Sequence, residues 1–546
     1  DPFLSRIIML QIGDLDNQFI IDTRVIDISS LKPIIENTKI LKVGHNLKFE
    51  AIHLKHNYDF NMKNIHDTMI CERILYNGEK RGYSLEACAK KHLKIKVNTT
   101  EKIDLFRQNE FEVFNDDFND ELEYIEVNKN IRNDFSEWQD KPFTLDQIKY
   151  GTDDIIMPLQ LYYIQIQGRI INEELYLPIK AFNLENKIVL VLANMYLRGV
   201  NVDIEGWLNL YQKNKVLYEE LKAKLNTFII TNYPKFTKPP DLFESELRCN
   251  IDWQSPKQVV DFVKHLGVCP LEKSIQTGKL EYTVGAKAVL KILDNNYKEM
   301  FFAVKECEIK DTQTFLLNFL ILKRYQQLST TFGKEWLEKY IHPLTNKVHC
   351  NFIQLMNTTR MSSTSPNMQQ IPSGKEWRKL FISGEGYNCI STDFSAQEAR
   401  VAAEVTEIKP LRDIFNFGHP IFKDDIHSMN ATNMFRIIKN DNTFVCDKNI
   451  NKVERGIAKN MLFKLLFGGS EYTVALDLGV ILEEGTKFYN AFFDAYPGLK
   501  ENFEQAKKLA IKRGWIELDP ITKARYFYPH FQEMQDSFKA AMSYYP

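Results

Sequence analysis

ERGIAKNMLFKLLFGG, Glu454 to Gly469, is the stretch on which the reading of this chain turns. Read as one helix, it places Arg455, Lys459 and Phe463 at four-residue steps on a single face. Two cations below an aromatic ring cover a core poorly. They suit a nucleoside triphosphate, with the cations on phosphates and the ring supporting base or sugar. The plainer alternative is a solvated helix edge with Phe463 tucked inward, and the stretch alone leaves both open.

Upstream, the apolar pair Cys389-Ile390 leads into Ser391-Thr392-Asp393-Phe394-Ser395, with Glu398 and Arg400 following. This pattern predicts a strand near Cys389 to Asp393 with an aspartate at its end, where α/β architectures gather metals and substrates. A hard cation such as Mg²⁺ takes carboxylate and phosphate oxygens, and two such ions about 4 Å apart serve in-line phosphoryl transfer. An ordinary surface turn fits this segment equally well in isolation.

Taken together and in order, these segments resemble the family A DNA polymerases, the bacterial DNA polymerase I type. TTRMSSTSPNMQQIP at Thr358 to Pro372 is similar to the family's TGRLSSxxPNLQNIP block. STDFSAQEAR at Ser391 to Arg400 is similar to its motif A, RGIAKNMLFKLLFG at Arg455 to Gly468 to its motif B, and DDIHSMNAT at Asp424 to Thr432 to the helix start before motif B. The resemblance implies that Asp393 ligates both metal ions, helped by the backbone carbonyl of Phe394, and that Glu398 crowds the sugar 2′ position. It implies that His427, Arg455 and Lys459 hold the triphosphate, with Lys459 placed to protonate pyrophosphate, and that Phe463 packs on the nucleotide. Arg360 would read the minor-groove acceptors common to correct pairs, Asn367 and Gln370 share its DNA-facing block, and Arg378 would lie near the incoming phosphates. Two residues depart from the pattern. Phe467 stands where the family has Tyr, so a hydroxyl able to bond Glu398 is missing, and Lys464 replaces a Gly.

The N-terminal region resembles the family's 3′→5′ exonuclease domain. VGHNLKFEAIHL at Val43 to Leu54 is similar to its second motif and YGTDD at Tyr150 to Asp154 to its third. The resemblance implies Asp154 and Glu50 as metal ligands, Tyr150 orienting the attacking water, and Asn46 and Asp67 in support. Glu50 occupies a position normally held by Asp; its longer side chain either still reaches the metal or weakens the site. The first exonuclease motif is expected before Asp1, and the polymerase motif His-Asp-Glu beyond Pro546. Full activity is therefore expected of a longer parent protein, and this stretch by itself is expected to bind DNA and catalyse little.

The implied fold is α/β plus α: a ribonuclease H-like exonuclease domain over 1–180, then a right-hand polymerase domain over 181–546. Its palm is expected at 181–205, 341–410 and 515–546, its thumb at 206–340 and its fingers at 411–514. Local patterns predict paired strands at Ile7–Ile12 and Gln18–Ile21, and helices around Phe49–Lys55, Ile65–Tyr76, Leu184–Leu197, Trp207–Tyr233, Thr314–Lys339, Ile426–Ile438, Asn451–Leu466 and Gly485–Arg513. Gly199 is expected to cap the Leu184–Leu197 helix in a left-handed conformation, with a strand at Val200–Asp203. The stretch 98–140, acidic and Asn-rich, reads as a surface insertion.

At 546 residues, two to four domains are expected. The balance of 44% hydrophobic and 26% charged residues is that of a soluble protein. The longest apolar run, near Lys187–Leu197, falls short of the roughly 20 residues a bilayer span needs, so no membrane partner is expected. A net charge of −2 does not mark a protein that coats nucleic acid, although local basic faces still meet phosphates. Eight cysteines without a CxxC pair suggest neither zinc nor a disulfide framework, and a reducing compartment is expected. Nothing near Asp1 reads as a signal or transit peptide.

The expected partners are primer-template DNA and deoxynucleoside triphosphates, with two Mg²⁺ ions at the polymerase site and two at an active exonuclease site. A 3′→5′ exonuclease alone, or an inert DNA-binding relative, is the alternative; the first leaves Asp393 and Arg455 unexplained. A single-subunit RNA polymerase is disfavoured by Glu398 and Phe463. Domain order, the insertion and a bias toward Asn, Ile and Lys are similar to family members that serve the apicoplast, the relict plastid of malaria-type parasites. That resemblance alone implies a plastid address.

Overall fold

The computed structural model describes residues 1–528, except 80, 94–95, 98–101, 105–125, 129–140, 172, 240–246, 274–278, 357, 373 and 479. Most of the expected insertion, and 529–546 of the expected palm, lie outside the described residues.

Alternation of apolar and polar side chains sets the first element, the antiparallel hairpin Met9–Gly13 with Gln18–Asp22. The helix Leu145–Gln165 packs on that hairpin, and Gly151 lets it approach to where a Cβ would lie 2.8 Å from Ile20 Cδ1. Behind it, the strands Lys42–Gly44 and Ile65–Asp67 pair in parallel. Ile65–Asp67 was expected as helix. All three of its residues are buried, and the helix Thr68–Leu75 begins only where the Asp67 carboxylate accepts the Met69 and Ile70 amides.

The helix Ile179–Arg198 ends at Gly199, whose φ of +59° and ψ of −176° lie outside the left-handed helical cap that was expected. This conformation is essentially restricted to glycine. A Cβ there would also meet the His349 ring at 2.6 Å. The strand Val200–Val202 follows and pairs antiparallel with both Lys347–Val348 and Phe381–Ile382.

Two long helices, Ile204–Asn232 and Thr312–Thr330, pack along each other. Leu221, Leu225 and Ile229 of the first share a core with Phe315, Phe319 and Leu322 of the second, the four- and three-residue spacing of facing helical stripes. The pattern predicted helix through to Lys339. It breaks instead near Gly333, after Ser329 and Thr330 turn their hydroxyls back onto the Tyr325 and Gln326 carbonyls, and resumes as Lys334–Tyr340. The break turns Phe332 and Trp336 into a separate core around Trp207. Trp207 is fully buried, stacks on Trp336 at 4.2 Å, meets Trp377 edge-on at 5.0 Å and donates its indole N–H to the Phe332 carbonyl at 3.0 Å.

The largest helical core joins Gln397–Thr406, Ile426–Lys439, Lys452–Leu466 and Leu482–Ala495. The predicted helix Gly485–Arg513 is two helices, Leu482–Ala495 and Leu499–Arg513, because Pro497 between them has no N–H to continue the ladder. The predicted strand Cys389–Asp393 forms no strand and belongs to no sheet, and it is exposed. A strand exists only through a partner for its backbone groups, and none of the described residues supplies one.

The division expected at residue 180 does not separate two cores. Phe182 and Val189, together with Trp515 and Phe527 of the antiparallel pair Trp515–Glu517 and Arg525–Phe527, pack in one core with Leu47, Leu54, Ile70 and Ile74 of the N-terminal region. The Phe527 amide donates to the Asn77 carbonyl at 2.8 Å. Gly78 beside it has a φ of +93°, and a Cβ there would lie 2.4 Å from the Phe527 carbonyl oxygen. The Arg169 guanidinium lies over both Tyr76 and Phe527, at 4.3 and 4.5 Å.

Trp207→Ala removes a stacked, buried ring and orphans the Phe332 carbonyl. It should cost about 3–5 kcal/mol, read as an earlier denaturant midpoint in far-UV circular dichroism. An unchanged midpoint would mean that this ring does not hold the core.

Candidate functional site

The helix Lys452–Leu466 confirms the geometry on which the reading of Glu454–Gly469 was built, and its neighbours determine what each side chain does. Ala399, Ala402 and Ala403 of Gln397–Thr406 share a core with Ala458 and Leu462, and small side chains allow those two helices a close approach. Ile426–Lys439 packs alongside. Its N-terminal cap is Asp425, which accepts the Ser428 amide at 3.2 Å and the Ser428 hydroxyl at 2.8 Å. The same carboxylate takes a fork from Arg455: Nη2 to Oδ1 at 2.9 Å and Nε to Oδ2 at 3.2 Å. Burial pushes the Asp425 carboxyl up, but the Arg455 and Ser428 hydrogen bonds hold it below its ordinary value.

His427 is buried beside this pair, with no hydrogen-bond partner for Nδ1, and its ring sits edge-on to Phe463 at 5.8 Å. Burial, followed by the charges of Arg455 and Lys459, pushes its pKa down to about 4. Lys459 is exposed and forms no ion pair among the described residues. Phe463 is half-buried, and Phe467 sits at the helix end with its amide on the Phe463 carbonyl at 3.0 Å. The structure thus gathers His427, Arg455, Lys459 and Phe463 into one cationic face with an aromatic wall. Arg455, expected on phosphate, is already committed to Asp425, because a guanidinium half-sunk between two helices needs a counter-charge there.

Asp393 and Phe394 are exposed just ahead of Gln397–Thr406, and Asp393 has no partner among the described residues. Glu398 pairs with Arg360, Nη2 to Oε1 at 3.2 Å. With Phe467 lacking a hydroxyl, the arginine is the partner this carboxylate takes. Both side chains are substantially exposed, and such a pair contributes about 0–1 kcal/mol, so it is easily displaced. Asn367 caps a turn, accepting the Gln369 amide at 3.0 Å, while Gln370 is exposed. Arg378 is exposed on a short helix whose neighbouring residue, Trp377, is buried against Trp207.

A second site lies in the N-terminal region. Asp67 is fully buried and accepts the Asn46 and Leu47 amides at 2.9 and 2.8 Å, which fixes the start of the helix Lys48–Tyr58 that carries Glu50. Asn46 takes a φ of +64°, a conformation that Asn tolerates better than most residues. The Glu50 carboxyl end is buried, with no partner for Oε2. Burial drives its pKa up to about 8, and the nearby charges of Asp67 and Asp154 add to the rise. Burial likewise pushes Asp67 up to about 6 against its backbone hydrogen bonds. Tyr150 and Asp154 lie one turn apart on Leu145–Gln165, hence on one face. Asp153 beside them is buried, its Oδ2 lacks a partner, and burial raises it to about 7.

The described residues hold no group of three or more His, Cys, Asp or Glu side chains poised around a metal ion. The second site still fits a hard cation in chemical terms. A buried carboxylate oxygen without a partner, close to two further carboxylates, lacks the positive charge that such burial demands. Asp393, a lone unpaired carboxylate, fits as one ligand of such an ion.

The sequence did not single out Asp425, Asp153 or Arg73. Asp425 was legible as an N-cap, an Asp three residues ahead of a Ser at a helix start. The doublet Asp153-Asp154 offered no means of telling which partner is sunk into the protein.

An α/β N-terminal region thus shares a core with a larger, mainly helical region. Residues 1–109 match the 3'-5' exonuclease family and residues 244–544 match DNA polymerase family A. The chain belongs to DNA polymerase family A. It is 31% identical over 223 residues to DNA polymerase I of Rhizobium leguminosarum, covering 40% of this chain and 20% of the relative. It is 28% identical over 339 residues to DNA polymerase I of Geobacillus stearothermophilus, covering 61% and 33% respectively. The chain thus spans about a fifth to a third of the length of these relatives. Among solved structures, the POL domain of Pol1 from M. smegmatis, in complex with DNA primer-template and dNTP, matches the fold with a TM-score of 0.66 at 19% identity, over 96% of this chain and 76% of that one. No helix among the described residues is long and apolar enough to cross a membrane.

Because the folded pKa of His427 lies below the ordinary 6.5 of the unfolded chain, only the unfolded state takes up its proton between those values. Its contribution to stability is complete above pH 6.5 and is lost as pH falls toward 4. Its NMR ring resonance should therefore stay in the neutral position down to pH 5, and a midpoint near 6.5 would show that the ring is not enclosed by cations.

Proposed function

We propose that this chain is part of a template-directed DNA polymerase, which adds deoxynucleotides to a primer 3′ end by two-metal phosphoryl transfer. What supports this best is the face of Lys452–Leu466, where an unpaired Lys459 stands between Arg455 and Phe463, with neutral His427 against the ring. This arrangement matches a triphosphate with its base: cations for phosphate oxygens, a neutral N–H donor, and an apolar plate.

Asp393 and the Phe394 carbonyl would hold Mg²⁺, which when bound would make the primer 3′-hydroxyl a better nucleophile and offset charge on the α-phosphate. Lys459 and Arg455 orient the β- and γ-phosphates, and Lys459 passes its proton to the departing pyrophosphate. His427 donates a hydrogen bond to the same phosphates without adding charge, and Arg378 lies on their approach. Phe463 packs on the nucleotide, and Glu398 crowds the position a 2′-hydroxyl would take. Arg360, released from Glu398, reads the minor groove of the last pair, with Asn367 and Gln370 shaping the same DNA-facing block. Swinging of 411–514 as fingers over a palm at 181–205, 341–410 and 515–546, with 206–340 as thumb, brings these groups together only on a correct pair.

We further propose 3′→5′ proofreading at the second site. Glu50 and Asp154 would hold Mg²⁺ there, and Tyr150 would orient the attacking water. Retention of Glu50 as a buried carboxyl without a partner supports a ligand role over a packing role. The setting we propose is organellar, the apicoplast, in DNA replication and repair; the Asn-, Ile- and Lys-rich composition supports it.

The test is primer extension by the full parent protein on a recessed template with Mg²⁺ and one correct nucleotide. Asp393→Ala should lower single-nucleotide addition at least about 10²–10³-fold, the scale of losing a group that stabilises transition-state charge, while primer binding persists. Retained extension would remove Asp393 from the metal site, and primer shortening alone in the wild type would favour the exonuclease-only reading. Glu398→Ala should admit ribonucleotides. Unchanged discrimination between ribose and deoxyribose in the same assay would take the gate role from it.

A further inference from the structure

A pocket of about 250 Å³ lies where the N-terminal region meets the block containing Arg360, lined by Arg73, Leu355, Met356 and Thr358. Arg73 projects from the helix Thr68–Leu75, which Asp67 caps. Its guanidinium lies over the Tyr83 ring at 4.7 Å. Its Nε is buried without a hydrogen-bond partner, and no carboxylate pairs with it among the described residues. Buried donors are nearly always satisfied, and a guanidinium presents five of them in a fixed fork. The nearby carboxylate, Asp67, is already taken up by four backbone amides. Lys48, close enough to feel the charge of Arg73, is held by Asn351 Oδ1 at 2.6 Å and by the Phe352 carbonyl. Among the described residues no carboxylate pairs with Arg73, so its positive charge faces the pocket without a counter-charge bonded to it.

The opposite wall belongs to the segment that carries Arg360. The Met356 amide donates to the Arg360 carbonyl at 3.0 Å, so the pocket and the proposed reader of the primer end are one hydrogen bond apart. Its volume corresponds to roughly eight waters at ~30 Å³ each, room for a phosphate group. Leu355 and Met356 offer apolar contact for a sugar, and Thr358 offers a hydroxyl.

We propose that this pocket binds a backbone phosphate of single-stranded DNA, the unpaired primer end that has left the Arg360 site and runs toward Glu50 and Asp154. The proposal rests on the polymerase and proofreading reading above. Arg73 grips the phosphate through its free N–H groups, and Tyr83 keeps the guanidinium plane fixed. A paired primer end stays at Arg360 and does not reach the pocket.

The experiment compares two primer-templates by fluorescence anisotropy in EDTA, one fully paired and one with three mismatches at the primer end, using the full parent protein. Arg73→Met keeps the aliphatic stem over Tyr83, and Arg73→Lys keeps the charge. Arg73→Met should weaken binding of the mismatched DNA about tenfold and reduce its salt slope by about 0.7, one single-strand phosphate. The paired DNA should be unaffected, and Arg73→Lys should recover most of the loss. Thr358→Val, at an exposed position that does not risk the fold, should give the same contrast at about threefold. Equal losses on both DNAs, or none on the mismatched one, would overturn the proposal. So would a pyrophosphate affinity that depends on Arg73 when neither DNA responds, since the pocket would then serve a free phosphate. Failure of the wild type to bind either DNA would overturn the polymerase reading itself.

Discussion

Like charges brought together must be neutralised, shielded or discharged, and this constraint shapes the whole helical site. Arg455, Lys459 and His427 converge near Phe463. The fold resolves the repulsion in three different ways. Arg455 receives the Asp425 fork, His427 is kept neutral by burial and by its cationic neighbours, and Lys459 is left in water. The Asp425 carboxylate also caps Ile426–Lys439, so one group joins two helices and balances the cation between them. Tyr496 reinforces the arrangement from below, donating its hydroxyl to Asn430 Oδ1 at 2.6 Å. The face therefore presents an ammonium free to move beside a guanidinium held on Asp425.

The second site presents the same constraint with the sign reversed. Glu50, Asp67 and Asp154 crowd carboxylates into a poorly hydrated space. Asp67 is held by backbone amides and serves as a structural knot, whose own amide donates to Asn186 at 2.7 Å. Glu50 lacks that full set of amides, and burial, with the charges of Asp67 and Asp154 adding to it, raises its pKa to about 8. One site gathers positive charge and the other gathers carboxylates, and the fold balances each by a different local device.

Much of this was legible from spacing. The four-residue recurrence of Arg455, Lys459 and Phe463 survives folding because a helix face is a local property. The fork from Arg455 to Asp425 was not legible, since it depends on two helices lying side by side after 12 residues or more of intervening loop and turn have been placed. Cys389–Asp393 was misread for a related reason. Its apolar pair Cys389-Ile390 suits a strand, but a strand is defined by its partner, and the described residues supply none. Ser329-Thr330 and Pro497 were legible as breakers and were overridden by the apolar period on either side. The location of the core boundary lay beyond any local signal. Trp515 and Phe527 join residues some 450 positions earlier, and nothing in the spacing of either segment announces it.

That shared core has a mechanical consequence. Two modules joined by a flexible linker would present a varying gap to a strand passing between them. Here Phe182, Trp515 and Phe527 are packed with Ile70 and Ile74, the Lys48 ammonium is seated on the strand Asn351–Ile353, and Arg169 is sandwiched between rings from both ends of the chain. Breaking any one contact would leave the others, so the distance from Arg360 to Glu50 is set by packing. A fixed gap favours phosphate holds at fixed intervals, because a strand under a constant span has few ways to cross it. The unpaired guanidinium of Arg73, standing on the junction itself, is where such a hold is expected on physical grounds: a rigid wall, a surplus positive charge and an opening to water meet there.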